Sequence, residues 1–277
     1  KRSGDRISPH FTRFPVTDAT TPAPASLVAV IPAYQEAATI AAVVTRLRAA
    51  MPGVPVLVVD DGSSDGTAAI AAAAGAEVLG GAANQGKGAA LRLGMRAALA
   101  RGAGFVATLD GDGQHRPEDV PRLVALAAPD VIVIGSRRGA AGQPAARRRA
   151  NRVADFWISW AARHPVSDSQ SGLRLYPAAA LADLARYEGR ARRFSFESEI
   201  LIDAARQGIT TVAAEIPALY GTTLRRPSHF RPVADIARIV IMVAGKLLAR
   251  GMDPVGLWRS LAAPQPRRKE ETDAPST

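Results

Sequence analysis

Short runs of aliphatic and β-branched residues alternate with alanine-rich stretches of helical periodicity from Leu27 to about Ile134, and this alternation constrains the fold more than any other feature. The runs predict strands over Leu27–Ile31, Val54–Val59, Glu77–Leu79, Gly104–Leu109 and Val131–Ile134. Between them the spacing predicts helices over Glu36–Ala50, Asp65–Ala74, Lys87–Ala100 and Pro117–Leu126. Strand-helix alternation of this kind implies a mainly parallel sheet with helices on both faces, and such sheets bind ligands at the carboxyl ends of their strands. Beyond Ile134 the pattern loosens. It predicts an arginine-rich helix from Ala145 to Arg163, a strand near Leu173–Tyr176, a helix over Phe196–Gln207, a strand pair around Thr210–Leu219 and a final helix from about Pro232 to Arg250. This second stretch reads as an appended half of the same domain.

The chain of 277 residues is 47% hydrophobic, enough for a substantial core. Cysteine is absent, which excludes a disulfide framework and any cysteine-based zinc site; the four histidines are scattered. Residues 1–26 lack apolar periodicity and read as a disordered lead-in, and the polar, charged residues 264–277 as a disordered tail. The N-terminal stretch has no signal-peptide core, so a cytoplasmic location is expected; the uncharged apolar run around Ile239–Gly245 is too short to cross a bilayer. The net charge of +10 is uneven: residues 1–135 hold 12 basic and 12 acidic groups, and residues 136–277 hold 23 and 13. The excess points to an anionic partner of the second half, or to solvated arginine-rich faces. Few aromatic residues and no nucleic-acid motif argue against nucleic acid.

Three loops that follow predicted strands carry groups suited to a phosphorylated, metal-bound ligand. The first is Pro32-Ala33-Tyr34-Gln35-Glu36. The second, Asp60-Asp61-Gly62-Ser63-Ser64-Asp65-Gly66-Thr67, has two carboxylates at a strand end, glycines for a tight turn, and Asp65 placed to cap the next helix. The third, Asp110-Gly111-Asp112-Gly113-Gln114-His115, offers two carboxylates and an amide oxygen of the kind Mg2+ or Mn2+ accepts, with diphosphate oxygens and waters completing the shell. An EF-hand is excluded, because His115 and Pro121 stand where such a loop needs Gly and Glu. The segment Gly81–Gly88 matches a Walker A loop except that Gly88 replaces the hydroxyl residue, and Gly86–Leu91 lacks the third small residue of a dinucleotide fingerprint. What remains is a glycine-rich helix start carrying Lys87, suited to an anion or to close packing.

The ordered set VIPAYQE, VVDDGSSDGT, NQGKGAALRLG, LDGDGQH, GSRRG, DSQSGLRLYP, FSFESEIL and RRPSHF, spread over about Val28 to Arg250, resembles the family 2 glycosyltransferases, within them the polyprenyl-phosphate or dolichyl-phosphate mannose or glucose synthase branch. The resemblance implies an α/β fold of GT-A (Rossmann-like) type, a mainly parallel mixed sheet flanked by helices, in a single domain with a C-terminal amphipathic helix. It divides residues 27–230 into a nucleotide-binding half, 27–135, and an acceptor half, 136–230, followed by an amphipathic helical segment, 231–263. It implies inverting transfer of a hexose from UDP-glucose or GDP-mannose to a polyprenyl-phosphate-type acceptor, with a divalent metal. Carried over by motif, Pro32, Tyr34, Glu36 and Asp61 would hold the nucleotide with Lys87. Asp110 would face the ribose or the metal, and Asp112 with Gln114 would ligate the ion. Arg137, Arg147 and Arg148 would grip the acceptor phosphate, with Asp168 and Ser171 shaping its pocket, and Arg225 or Arg226 would reach the donor diphosphate.

Rate in such a transfer depends on neutralising the departing oxygens as the sugar becomes oxocarbenium-like. An ionised phosphate acceptor needs positioning more than a base. A soluble hydroxyl acceptor, the alternative, needs a general base. Glu197 and Glu199 are the candidates for that base, or else carboxylates that complement a helix dipole. The helix over Pro232–Arg250 puts Val233, Ile236, Ile239, Val240, Val243 and Leu247 on one stripe beside basic residues. That stripe suits core or dimer packing, or the cytoplasmic surface of a membrane reached peripherally or through a membrane-protein partner.

Overall fold

A computed structural model describes residues 27–81, 83–137, 145–188, 195–217 and 232–262, without the side chains of 145–147, 232–236 and 262. Its strands are β1 (Leu27–Ala33), β2 (Val56–Asp60), β3 (Glu77–Gly80), β4 (Phe105–Thr108), β5 (Val131–Ser136), β6 (Arg174–Pro177) and β7 (Thr210–Glu215). They form one sheet in the order β3-β2-β1-β4-β6-β5-β7. Strands β1 to β4 pair in parallel, β6 is antiparallel to β4 and β5, and β7 is parallel to β5. The order turns back at β1, which lies between β2 and β4, so the crevice beside β1 is the topological switch point.

Both faces of the central strands are buried, which is why β1 and β2 read as unbroken aliphatic runs. Alternation divides them: Val28, Val30, Leu57 and Val59 enter one core cluster, and Leu27, Ala29, Ile31 and Val58 enter the other. Helices α1 (Ile40–Ala50), α2 (Thr67–Ala73) and α4 (Val120–Val124) supply Ile40, Val44, Leu47, Ala71 and Leu123 to the second cluster. The first is covered by α3 (Lys87–Ala100), α5 (Ala145–Ala162), α6 (Ser195–Ala205) and α7 (Pro232–Leu248). Close seating of α3 requires Gly94, where an added Cβ would lie 2.4 Å from Val30 Cγ1 and 2.9 Å from Val59 Cγ2.

Several boundaries differ from expectation for local reasons. Helix α1 starts at Ile40 rather than Glu36, because residues 34–39 form a turn tied to the loop after β2. The segment predicted as a helix over Pro117–Leu126 is a single tight turn, Pro117–Asp119, followed by the five-residue α4. The predicted strand pair is one strand, β7, within the described residues, since Leu219 lies outside them. The final helix ends at Leu248, and a further helix, α8 (Pro254–Ala262), follows it.

The stripe on α7 is a packing surface: Ile239, Val243 and Leu247 are fully buried. Lys246 anchors the helix to α6, with Nζ 3.0 Å from Asp203 Oδ2 and 3.5 Å from Glu199 Oε1. The side chains of Val233 and Ile236 are outside the described residues. Helix α8 starts on Asp253, whose Oδ1 accepts the Gly256 N–H (3.0 Å) and whose Oδ2 is 2.9 Å from Arg163 Nε. Trp160 Nε1 donates to the Asp253 carbonyl (3.0 Å), tying α8 to α5. No described helix is long and apolar enough to cross a membrane.

Candidate active site

The sheet order assembles the site. Parallel strands β1, β2, β4 and β5 end at one edge, and antiparallel β6 brings the segment before it to that same edge. Thr108 at the end of β4 sits opposite Arg174 at the start of β6, and its hydroxyl donates to the Gly172 carbonyl (3.0 Å). Pro32 opens the crevice. Val30 accepts from the Leu109 N–H on the β4 side, so alternation turns Pro32, two residues on, the same way, where it has no N–H to offer.

The loops after β1 and β2 are stitched together. Gln35, held at φ 58°, donates its N–H to Ser63 Oγ (2.8 Å), Glu36 N–H donates to Thr67 Oγ1 (2.8 Å), and Ala37 N–H donates to Asp65 Oδ2 (3.1 Å). Asp65 Oδ1 accepts the Thr67 N–H (3.1 Å) at the start of α2, although Gly66 occupies the cap position itself. Asp61 is a clamp: Oδ1 accepts from Gln85 N–H (2.8 Å) and Oδ2 from Gly86 N–H (2.7 Å). These bonds fix the glycine-rich start of α3 against the loop after β2. Gly62 permits that approach, since a Cβ there would lie 2.9 Å from the Ala83 carbonyl carbon. Tyr34 is half-buried and Glu36 buried beside them, with Glu36 Oε2 accepting from Thr39 Oγ1 (3.2 Å).

The centre of the site is a charge cluster. Lys87 Nζ, at the first position of α3, lies 2.6 Å from Asp110 Oδ1 and 3.0 Å from Glu197 Oε2. Burial alone would lower the Lys87 pKa, but the two carboxylates outweigh it and raise it. Burial would likewise raise the Asp110 pKa, yet Lys87 holds it down at about 2. Asp112 has no such help. Burial, then the neighbouring Asp110 and Glu36 carboxylates, push it up to about 6, although its Oδ1 accepts the Gln114 N–H (2.9 Å). His115 is buried, and burial followed by the Arg137 charge pulls its pKa down to about 3. It is a neutral wall of the cluster. Gly172 makes room for Asp110, because a Cβ there would stand 2.4 Å from Asp110 Oδ2.

The segment before β6 and the start of α6 are organised by a residue that the sequence pattern did not single out. Arg174 is 1% exposed, and its guanidinium donates to the carbonyls of Ser171 (2.8 Å), Glu197 (2.9 Å) and Ser169 (2.6 Å) and to Tyr176 Oη (3.0 Å). It thereby locks the 168–173 turn and the start of α6 to the sheet. Asp168, at φ 52°, accepts the Arg137 N–H (2.8 Å), and Arg137 Nε lies 3.7 Å from the same oxygen. Arg137 Nε, Ser171 Oγ and Glu197 Oε1 are buried and make no hydrogen bond among the described residues. Glu199 turns away to Lys246, so of the two candidate bases only Glu197 enters the cluster. Arg148 lies exposed on α5, and the Arg147 side chain, Arg225, Arg226 and His229 are outside the described residues. Arginine at the start of a strand after a Ser-Gly turn was the one signal for Arg174 in the sequence.

No group of three or more His, Asp or Glu side chains among the described residues is placed to hold a metal unaided. In chemistry, the carboxylates of Asp110 and Asp112 and the amide of Gln114 are oxygen donors of the kind an ion of the Mg2+ type accepts, one or two carboxylates with phosphate oxygens and water filling its shell.

A mixed sheet in this order, with acidic loops gathered at its carboxyl edge, is that of a glycosyltransferase of GT-A architecture. The chain belongs to glycosyl transferase family 2, which its residues 28–182 match. It is 31% identical over 203 residues to the undecaprenyl-phosphate mannosyltransferase of Micrococcus luteus, spanning 70% of this chain and 83% of that protein. It is 30% identical over 202 residues to the polyprenol monophosphomannose synthase of Mycolicibacterium smegmatis, spanning 69% and 76%. In fold it is similar to glucosyl-3-phosphoglycerate synthase from Mycobacterium tuberculosis, solved with Mn2+, UDP and phosphoglyceric acid, at a TM-score of 0.59 and 24% identity over 81% of this chain and 78% of that one. Mannosyl-3-phosphoglycerate synthase from Rubrobacter xylanophilus gives a TM-score of 0.61 at 19% identity, covering 89% and 78%.

Proposed function

We propose that this glycosyltransferase moves a hexose, with inversion, from a nucleoside-diphosphate sugar to a polyprenyl-phosphate-type acceptor. The observation that carries the reading is the meeting of Asp110 from the first half of the chain and Glu197 from the second on one lysine, Lys87. Likeness to the Micrococcus and Mycolicibacterium enzymes supports the lipid-phosphate acceptor.

In this reading the nucleotide lies in the crevice beside β1, against the 34–37 turn and the loop that Asp61 clamps. Asp112, Gln114 and Asp110 would hold Mg2+ or Mn2+, which supplies charge to the departing diphosphate. Lys87 adds a second positive charge at the same place. Arg137, Arg148 and the buried Ser171 hydroxyl orient the acceptor phosphate, which is ionised near neutral pH and needs no base. Glu197, already neutralised by Lys87, positions the lysine rather than taking a proton. The deciding experiment incubates the chain with UDP-glucose or GDP-mannose, Mn2+ and a short-chain polyprenyl phosphate. Expected is a glycosyl phosphoprenol of inverted anomeric configuration by NMR, formed from one nucleotide series. Free UDP or GDP released without any such lipid product sinks the acceptor assignment.

A further inference from the structure

The stripe that the sequence offers for a surface role is spent on the core, and the exposed apolar surface lies elsewhere. On α7, Ile239, Val243 and Leu247 are at 0% exposure, whereas Ile241 and Leu248 stand at 71% and 66%. Beyond the turn, α8 also exposes apolar side chains: Trp258 is 68% and Leu261 67% exposed, with Val255 at 49%. Positions 255, 258 and 261 recur every third residue on one side of a helix whose other side, Gly256 and Leu257, faces α5 and the core. Met252 in the intervening turn is also exposed. A helix that merely capped the bundle would turn polar residues outward.

We propose that α8, with the outer face of α7, is a docking surface for an anionic lipid bilayer. The occupant is chosen by charge and by residue type. Between Arg238 and Leu261 the exposed cations are Arg238 and Arg259, and the single acid, Asp253, is held by Arg163; Lys246 and Arg250 turn inward, to Asp203 and to the Ala161 carbonyl. Arg259 sits next to Trp258 on the exposed side of α8. Helix α5 adds exposed Arg149, Arg152, Val153 and Phe156, the same mixture of cation and apolar side chain. Basic residues interleaved with an exposed tryptophan and leucines suit the headgroup boundary, where an indole keeps its N–H wet and its rings in hydrocarbon. A second copy of this chain would set these cations against one another. The helix is seated rigidly for the role by Asp253, which caps it, ties it to Arg163 and accepts the Trp160 indole N–H. The proposal does not depend on the transfer reaction.

The test is flotation of the 277-residue chain with phosphatidylcholine vesicles, with and without phosphatidylglycerol. Expected is binding to the anionic vesicles, weakened by salt, and little binding to the neutral ones. The double variant Trp258→Ala/Leu261→Ala should lose anionic-vesicle binding at least roughly tenfold, with an unchanged circular dichroism spectrum because both side chains project outward. Arg259→Glu, which keeps the apolar face, should weaken binding to anionic vesicles alone. Failure of the chain to float with anionic vesicles overturns the proposal, as does a double variant that floats like the parent. A dimer in sedimentation that the double variant abolishes, with no vesicle binding, also overturns it and assigns the face to copy-to-copy contact. Transfer to a water-soluble short-chain acceptor should be the same in parent and double variant, so loss of docking and loss of catalysis are read separately.

Discussion

Replacing Asp112 by asparagine should make the metal-free protein more stable while abolishing what metal adds to it. The Asp112 carboxyl is driven from an ordinary 3.8 up to about 6 by burial first and then by the Asp110 and Glu36 carboxylates. Each pH unit is worth about 1.4 kcal/mol, so a fully enclosed group would carry about 3 kcal/mol of strain when ionised. Solvent reaches this side chain in part, and screening brings the expectation to about 1–2 kcal/mol. The sign follows from proton binding. The unfolded carboxyl ionises near 3.8 and the folded one near 6, so in that window the native state holds the extra proton. Stability contributed by this group therefore falls as pH rises through the window and stays low above it. Asparagine cannot ionise, so its advantage over the parent should be absent at the acid end and full near neutral pH.

The measurement is thermal unfolding of parent and Asp112→Asn in chelator across that range. Near neutral pH the variant should melt roughly 2–8 °C higher, as about 1–2 kcal/mol implies for a chain of this size. With Mn2+ and nucleotide the order should invert, because only the parent gains the binding free energy. A variant that melts below the parent in chelator, or whose advantage does not change with pH, refutes the claim that Asp112 is a strained carboxylate awaiting a cation.

Three other outcomes test the site piece by piece. Gly172→Ala sets a methyl 2.4 Å from Asp110 Oδ2 and should cut turnover by roughly a hundredfold through displacement of that carboxylate, with little change in circular dichroism. Arg174→Met leaves three buried carbonyls without their donor and should cost about 3–5 kcal/mol in urea unfolding; a loss below about 1 kcal/mol would show that the turn holds itself. His115, with its pKa pulled down to about 3, should show imidazole NMR signals that stay constant between about pH 5 and 8, where an unperturbed histidine titrates.

The parts legible in the sequence were those governed by local pattern. Helix α3 falls where Lys87–Ala100 was expected, because alanine-rich periodicity after a glycine start leaves no competing structure. The acidic strand tips were legible because Asp after a β-branched run is costly in a buried strand and finds room only at its end. Contacts between distant segments were not legible. The delayed start of α1 rests on Ser63, Asp65 and Thr67, some thirty residues away. The clamp role of Asp61 depends on a loop crossing that only Gly62 allows. Helix α8 could have been found: Asp253-Pro254 is a helix-start signal, masked by the brevity of the segment and by Gly256.

The antiparallel strand β6 gives the site its logic. Had β6 run parallel, the 168–173 turn would lie at the opposite edge of the sheet, with Asp168, Ser171 and Gly172 far from Asp110. Running antiparallel, it sets Gly172 against Asp110, and Arg174 behind it fixes the start of α6, which delivers Glu197 to Lys87. Lys87 thus bridges a carboxylate from each half of the chain. In the proposed reaction the diphosphate would compete with those carboxylates for the same ammonium group, so arrival of the donor is coupled to the start of α6 and to the acceptor turn that Arg174 ties to it. Lys87→Met should therefore weaken acceptor binding as well as donor binding. Equal acceptor affinity in variant and parent, measured with the donor absent and then present, would show that the two halves act independently.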